Sequence, residues 1–362
     1  MNNSSDYFYS DTRFRIQSNA ERYCWAAYFL FGVLSSLFGD TLILVTSLHT
    51  DAFKINKLLV TIIQHIAVSD LSTTIVFLLP TAISLLANSW ILGTPLCYAM
   101  VYIMYFTYEA GMCLIAALTT AKFLILRYPL RAASWSTERA HLVCSILWVY
   151  SLMIPLLFLS VDKDDVHFDY RPYTCEYGLT SSYLKKIMPI VICFVGFLPN
   201  IVIAATTVPT LKYLVYARKS SQRVQASVPW QGALTVTLTS AVFSISTLPF
   251  AIYHYAAGFV NENPPGLFHV HYHRISQFAL LLNVVSNFYI YVLTIKSFRK
   301  FLRSKFRQLF PLLGNVAAPR NRLSTMNNPG NILHIEIMTY DGHADFCFGT
   351  IIVHLQEFIT RN

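Results

Sequence analysis

Apolar residues along this chain gather into seven long runs separated by shorter polar connections, at residues 26–48, 58–86, 98–126, 142–161, 187–208, 233–255 and 275–295. Each run supplies about the 20 residues that a helix needs to cross a hydrocarbon layer about 30 Å thick, where the backbone must pair its own polar groups. The pattern predicts an all-α membrane protein, a seven-transmembrane helix bundle. Of the Asp, Glu, Lys and Arg residues, only Asp40, Asp70, Glu109 and Lys122 fall inside the runs. After the seventh run, SFRKFLRSKFRQLF places Phe298, Phe301, Leu302, Phe306 and Leu309 at helical spacing with Lys and Arg between them. That spacing predicts a short basic amphipathic juxtamembrane helix lying on the membrane lipid. The expected organisation is an extracellular N-terminus (1–23), the bundle (24–296), the surface helix (297–310) and a cytoplasmic tail (311–362). DFCFGTIIVHLQEF, near the end of the tail, is too short to span a bilayer.

Composition agrees with a lipid solvent. The chain is 55% hydrophobic and 12% charged, far less charged than an average soluble protein. Its net charge of +9 would suit nucleic acid, but the basic residues lie mostly beside the apolar runs, which is how membrane topology is encoded. Nucleic-acid binding is a poor reading. Counting Lys122 near the end of the third run, one set of connections carries 16 Lys and Arg and the alternate set 8, which predicts an extracellular N-terminus and a cytoplasmic C-terminus. The polar N-terminus has no basic patch followed by a short apolar stretch, so the first run is expected to direct insertion. Asn2 and Asn3 each begin an Asn-x-Ser sequon, a glycosylation site on an extracellular terminus. Seven cysteines without a Cys-x-x-Cys pair or a His/Cys cluster give no zinc or iron–sulfur signal, and no cofactor is expected.

The runs also carry marks that resemble rhodopsin-like (class A) G-protein-coupled receptors, over about residues 24–310. IAVSDLSTT is similar to the Leu-Ala-x-x-Asp motif and places Asp70 at its buried acid. Trp148, Pro199 and Pro249 fall where that family has a tryptophan in the fourth span and prolines in the fifth and sixth. NVVSNFYIY resembles Asn-Pro-x-x-Tyr, with Asn287 and Tyr291 kept and Phe288 in place of proline. The resemblance implies a disulfide between Cys97, shortly after Trp90 and Gly93, and Cys175 in the loop before the fifth span. It also brings three departures. Counting back from Pro129 and Leu130, Asp-Arg-Tyr becomes Ala121, Lys122 and Phe123, so the restraining aspartate is gone and a point charge replaces a planar guanidinium. Thr247 stands at the toggle tryptophan, four residues after a retained Phe243. The chain therefore resembles a divergent member of that family.

Ionisable groups at membrane depth cost several kcal/mol unless paired or hydrated. The resemblance places Asp40 and Asp70 beside Asn283 and Asn287, where the family holds a hydrated Na+. Two close carboxylates then share a proton or bind a cation, or else the group is a static polar network joining three helices. Glu109 is expected either to meet a cationic or neutral ligand or to bond to the hydroxyls of Tyr105 or Tyr108. The same carry-over gives a ligand pocket of Met104, Tyr105, Tyr108, Glu109, Phe250, His254 and Gln277, although ordinary core packing would produce a similar aromatic lining. Leu281 at the Schiff-base position disfavours retinal, and Met104 at the amine-binding aspartate disfavours a biogenic amine.

The function these residues imply is a plasma-membrane receptor that binds an extracellular ligand within the bundle. It would signal to a heterotrimeric G protein, with arrestin as a further partner, by shifting the packing around Phe243, Thr247 and Pro249. The competing reading is a non-signalling decoy or scavenger receptor, supported by Ala121, Lys122 and Phe123. A transporter is disfavoured because the buried charges form no relay and no inverted repeat is evident. No nucleophile and base constellation supports an enzyme.

Overall fold

The computed structural model describes residues 16, 18–48, 56–130, 135–153, 155–157, 166–177, 197–219, 230–257 and 267–309. Helix α1 (Asn19–Ser47) begins at Ser18, whose hydroxyl accepts a hydrogen bond from the Glu21 N–H and so satisfies one of the orphan donors of the first turn. Helix α2 (Lys57–Ala87) is capped by Asn56 and widens to a π turn over Thr74–Leu78. The cause lies two residues further on. Pro80 has no N–H to give to the residue four positions back, and its ring crowds that carbonyl, so the helical ladder is disturbed there. Helix α3 (Thr94–Arg127) follows Gly93, whose φ of +82° is open to glycine without strain. Trp90 donates 2.8 Å to the Gly93 carbonyl and fixes this turn.

Helix α4 (Thr137–Ser151) is capped by Ser136 and carries Glu138 in its first turn, where a negative charge suits the helix dipole. A two-stranded antiparallel hairpin follows, β1 (Val166–Asp169) and β2 (Thr174–Tyr177), with Phe168 opposite Cys175. Helices α5 (Leu198–Lys219), α6 (Trp230–Ala257) and α7 (Leu267–Thr294) complete the bundle, and α8 (Lys296–Leu309) interleaves basic with apolar residues as the sequence predicts.

Six of the described helices are long and apolar enough to cross a membrane. The fifth predicted run lies outside the described residues up to residue 196, and α5 supplies its second half. Helix α7 starts eight residues before the predicted 275, which brings His273 and Arg274 into the helix.

Helix α3 is the central column, packing against α2, α4, α5 and α6, while α1 packs against α2 and α7. Close approach of α1 and α7 depends on glycine. A Cβ at Gly39 would sit 2.6 Å from the Phe288 Cβ, so no side chain fits there without movement. Helices α2 and α4 are joined by a polar chain in which Trp148 donates 3.2 Å to His65, itself 3.1 Å from His141.

Candidate functional site

The hairpin sits over one end of the bundle with both strands almost wholly buried, Phe168, Tyr173 and Cys175 completely so. Cys175 is disulfide-bonded to Cys97 at the start of α3, with Cα atoms 5.4 Å apart. The turn of the hairpin is tied down on the opposite side. Tyr173 holds a positive φ of 59°, uncommon outside glycine, and its hydroxyl donates 2.9 Å to Asn88 while accepting from the Ile16 N–H. Arg22 of α1 donates to the carbonyls of Leu85 and Leu86 at 2.8 and 2.9 Å, satisfying the C-terminal end of α2.

Beneath the hairpin lies a buried charged cluster. Glu176 in β2 accepts 2.6 Å from Gln277 and stands 3.0 Å from His273, both on α7, and His273 stacks on Tyr253 of α6 with ring centroids 4.2 Å apart. Asp169 in β1 accepts from the backbone N–H and the guanidinium of Arg171. Burial disfavours the Arg171 charge, but Asp169 beside it and Glu176 beyond outweigh that and hold its pKa above the ordinary value. Arg274 donates 2.7 Å to the Arg171 carbonyl and lies 3.5 Å from Glu21. Asp169, Glu176 and His273 bring ligand atoms within 4.8 Å of one another, close enough to share a metal ion. Arg171 already compensates Asp169, while the side-chain oxygen of Gln277 is buried without a hydrogen bond among the described residues. The cluster therefore links the hairpin to α7, as the disulfide links it to α3.

A second polar group lies deeper, between α1, α2 and α7. Asn287 donates 2.7 Å to Asp70, Ser36 donates 2.6 Å to Asp40, and Thr74 in the π turn donates 2.6 Å to Ser36. Asp40 and Asp70 are within electrostatic reach of each other, and one oxygen each of Asp40, Asn283 and Asn287 is buried without a hydrogen bond. A cavity of about 30 Å³ beside Asp70 and Asn283 is large enough for an ordered water, and Met104 and Tyr108 form part of its wall.

Residues 39–291, more than half of the chain, match the description 7 transmembrane receptor (rhodopsin family). The chain belongs to this receptor family. It is a multi-pass membrane protein from a family of receptors, not of enzymes. It is similar to proteinase-activated receptor 1 of Xenopus laevis, 32% identical over 107 residues, which are 29% of this chain and 26% of that protein. Galanin receptor 2a of Danio rerio is 26% identical over 192 residues, 52% of each chain. The uracil nucleotide/cysteinyl leukotriene receptor of Homo sapiens is 22% identical over 244 residues, 64% of this chain and 61% of that protein. Each match spans less than two thirds of the relative's length.

In this receptor the three altered motifs have distinct surroundings. Lys122 is 2% exposed with no hydrogen bond or ion pair among the described residues, and Ala121 beside it is buried while Phe123 is half-buried. Phe243 is buried, and Thr247 turns its hydroxyl back to the Phe243 carbonyl at 2.8 Å, two residues before Pro249 inside α6. Phe288 occupies the proline position and meets Phe38 edge-on at 5.9 Å, so α7 keeps its backbone ladder past Asn287 to the buried Tyr291.

The residues expected to form one pocket lie in three neighbouring groups, with Tyr108 within electrostatic reach of both Tyr105 and Glu109. Gln277 belongs to the cluster under the hairpin, and Tyr105 lies within electrostatic reach of Glu176 there. Tyr108 packs against Phe250 with centroids 5.2 Å apart, near Met104. Glu109 is wholly buried and accepts 3.3 Å from Cys113, on the side of α3 that faces Tyr150 of α4. His254 lies on α6 but its side chain is outside the described set, as are Asn2 and Asn3 entirely. Sequence reasoning missed Glu176, His273, Tyr253, Asp169 and Arg171. Glu176 adjoins Cys175, so the residue after a bridging cysteine was the available signal. His273 was hidden because the polar start of α7 reads as a loop.

Proposed function

We propose that this receptor binds an extracellular peptide beneath the hairpin and transmits the event to a heterotrimeric G protein. The observation that carries this reading is the hairpin fastened to two helices through adjacent residues of β2, by Cys97–Cys175 to α3 and by Glu176 to Gln277 and His273 on α7. A ligand that engages Glu176 or Arg171 competes with these ties. It thereby stabilises one of two helix arrangements over the other, which is all that an agonist must do. A peptide suits a mouth that offers both charges and several aromatic rings. Similarity to galanin receptor 2a and to a thyrotropin-releasing hormone receptor supports the same class.

In this reading the hairpin side is extracellular, the end of α3 that carries Lys122 is cytoplasmic, and the receptor works in the plasma membrane. Lys122, Arg127 and the described part of α5 near Lys212 would face the G protein, with arrestin as a later partner. Asn287, Tyr291, Phe243, Thr247 and Pro249 would form the moving inner packing. The test is expression at the cell surface followed by cyclic AMP, calcium and arrestin assays against a peptide library, for the wild type and for Glu176→Gln. A peptide response weakened by Glu176→Gln supports the site.

A second reading, a non-signalling decoy, is favoured by Lys122, which is buried without the arginine fork or its aspartate partner. Peptide binding with silence in every pathway, for the wild type and for Lys122→Arg, would establish it.

A further inference from the structure

A cavity of about 650 Å³ opens between α2, α3, α4 and α5, at the end of the bundle opposite the hairpin. Its size falls in the range of small-molecule sites. Small residues line it, Ala116, Ala117 and Ala121 on α3 and Ala140 on α4, whose methyl groups leave space that larger side chains would fill. Leu, Ile and Val side chains form most of the remaining wall, with Thr120 and Pro199 among them, so the interior has little polar surface.

The two ends differ. At one, Arg139 in the first turn of α4 reaches the mouth beside Trp135, and its guanidinium makes no hydrogen bond or ion pair among the described residues, Glu138 included. At the other, Cys113 and Tyr150 close the slot next to the buried Glu109. From Arg139 to Tyr150 the helix rises roughly 16 Å, from eleven residues at 1.5 Å each. A long apolar slot with one cation at its mouth is complementary to a hydrocarbon tail that ends in a single negative charge. The carboxylate would lie at the level where Arg and Trp side chains meet lipid headgroups.

We propose that this slot binds a long-chain free fatty acid, with its carboxylate on Arg139 and its tail along the alanine face of α3 toward Cys113. The source is the adjoining bilayer leaflet, so occupancy does not depend on the extracellular ligand. Ala121 is part of the wall and precedes Lys122, so a bound tail presses on the segment of α3 next to the switch residue.

The experiment uses the full-length receptor in phosphatidylcholine nanodiscs with a photoreactive palmitic acid and, separately, its methyl ester, and maps labelled peptides by mass spectrometry. Acid labelling of α3 and α4 is expected to be competed by unlabelled palmitic acid, with the ester labelling roughly tenfold less, the size of effect lost with one charge-assisted hydrogen bond. Arg139→Gln should bring the acid down to the ester level while Arg139→Lys keeps the preference, and Ala117→Phe should remove labelling by filling the slot. Equal labelling by acid and ester in the wild type overturns the proposal and leaves an ordinary lipid-facing groove. So does labelling elsewhere, or labelling unchanged in folded Ala117→Phe. The wild-type comparison of acid with ester needs no variant and decides the matter if a variant does not fold.

Discussion

Gln277 on α7 donates a 2.6 Å hydrogen bond to Glu176 in the hairpin, so two residues 101 apart in sequence join the lid to the helix beneath it. The same oxygen of Glu176 stands 3.0 Å from His273, one turn earlier on α7. Together with the disulfide, this makes the hairpin a strut between α3 and α7.

Removing the strut's polar end should be measurable as stability. Gln277→Leu leaves a buried carboxylate short of a donor and is expected to cost about 1–3 kcal/mol, read as a lower melting temperature of the purified receptor. Glu176→Gln, which keeps an acceptor oxygen, should cost less. Chelation with EDTA should leave the melting temperature unchanged, because Arg171 already compensates Asp169. The Arg171 pKa is raised by folding, so its contribution is fully present below the ordinary arginine value. It is lost only as pH rises through the higher folded value, far above neutrality.

Asp40 and Asp70 oppose each other electrostatically inside the bundle. Asp40→Asn removes that repulsion while still accepting from Ser36, and should raise stability by about 1 kcal/mol in sodium-free buffer. The wild type should melt higher in sodium chloride than in choline chloride, and Asp70→Asn should erase the difference. Identical melting of the wild type in both salts would leave a static polar network as the account of these residues.

Lys122 is buried with no hydrogen bond or ion pair among the described residues. Lys122→Met keeps the length of the side chain and removes the charge, so it should stabilise the receptor by about 1–3 kcal/mol. The same variant should weaken G-protein activation. A loss of stability would mean that Lys122 has a compensating contact in the resting receptor.

Glycine at 39 is a packing requirement. Gly39→Ala sets a methyl against the Cβ and ring of Phe288, which cannot move without its helix, and should cost about 1–3 kcal/mol by thermal unfolding. Gly111→Ala meets only the Ser69 hydroxyl at 3.6 Å and should be tolerated.

The helical organisation was legible from hydropathy because lipid imposes one solution on a spanning backbone. The pairing of Asp70 with Asn287 was legible through family resemblance, since 217 residues separate them and no local pattern joins them. The cluster under the hairpin was not legible. Its members are single polar residues on a loop and at a polar helix start, and their meeting depends on how the disulfide folds the hairpin inward. Glu109 was read either toward the ligand or toward the hydroxyls of Tyr105 and Tyr108, and it accepts from Cys113 one turn on, while its neighbour Tyr108, about 100° round the helix, packs against Phe250. The slot beside Ala117 was invisible for a related reason, because a run of small residues reads equally well as tight packing.

Nucleotide exchange on a G protein is the most direct readout of whether this receptor signals. Purified receptor in nanodiscs, mixed with purified heterotrimers of each G-protein class, should accelerate GTP binding above the receptor-free rate. Lys122→Arg should increase that rate severalfold and Ala121→Asp should lower it. No acceleration by the wild type or by Lys122→Arg with any class, in preparations that still bind ligand, would contradict signalling and leave a binding protein in its place.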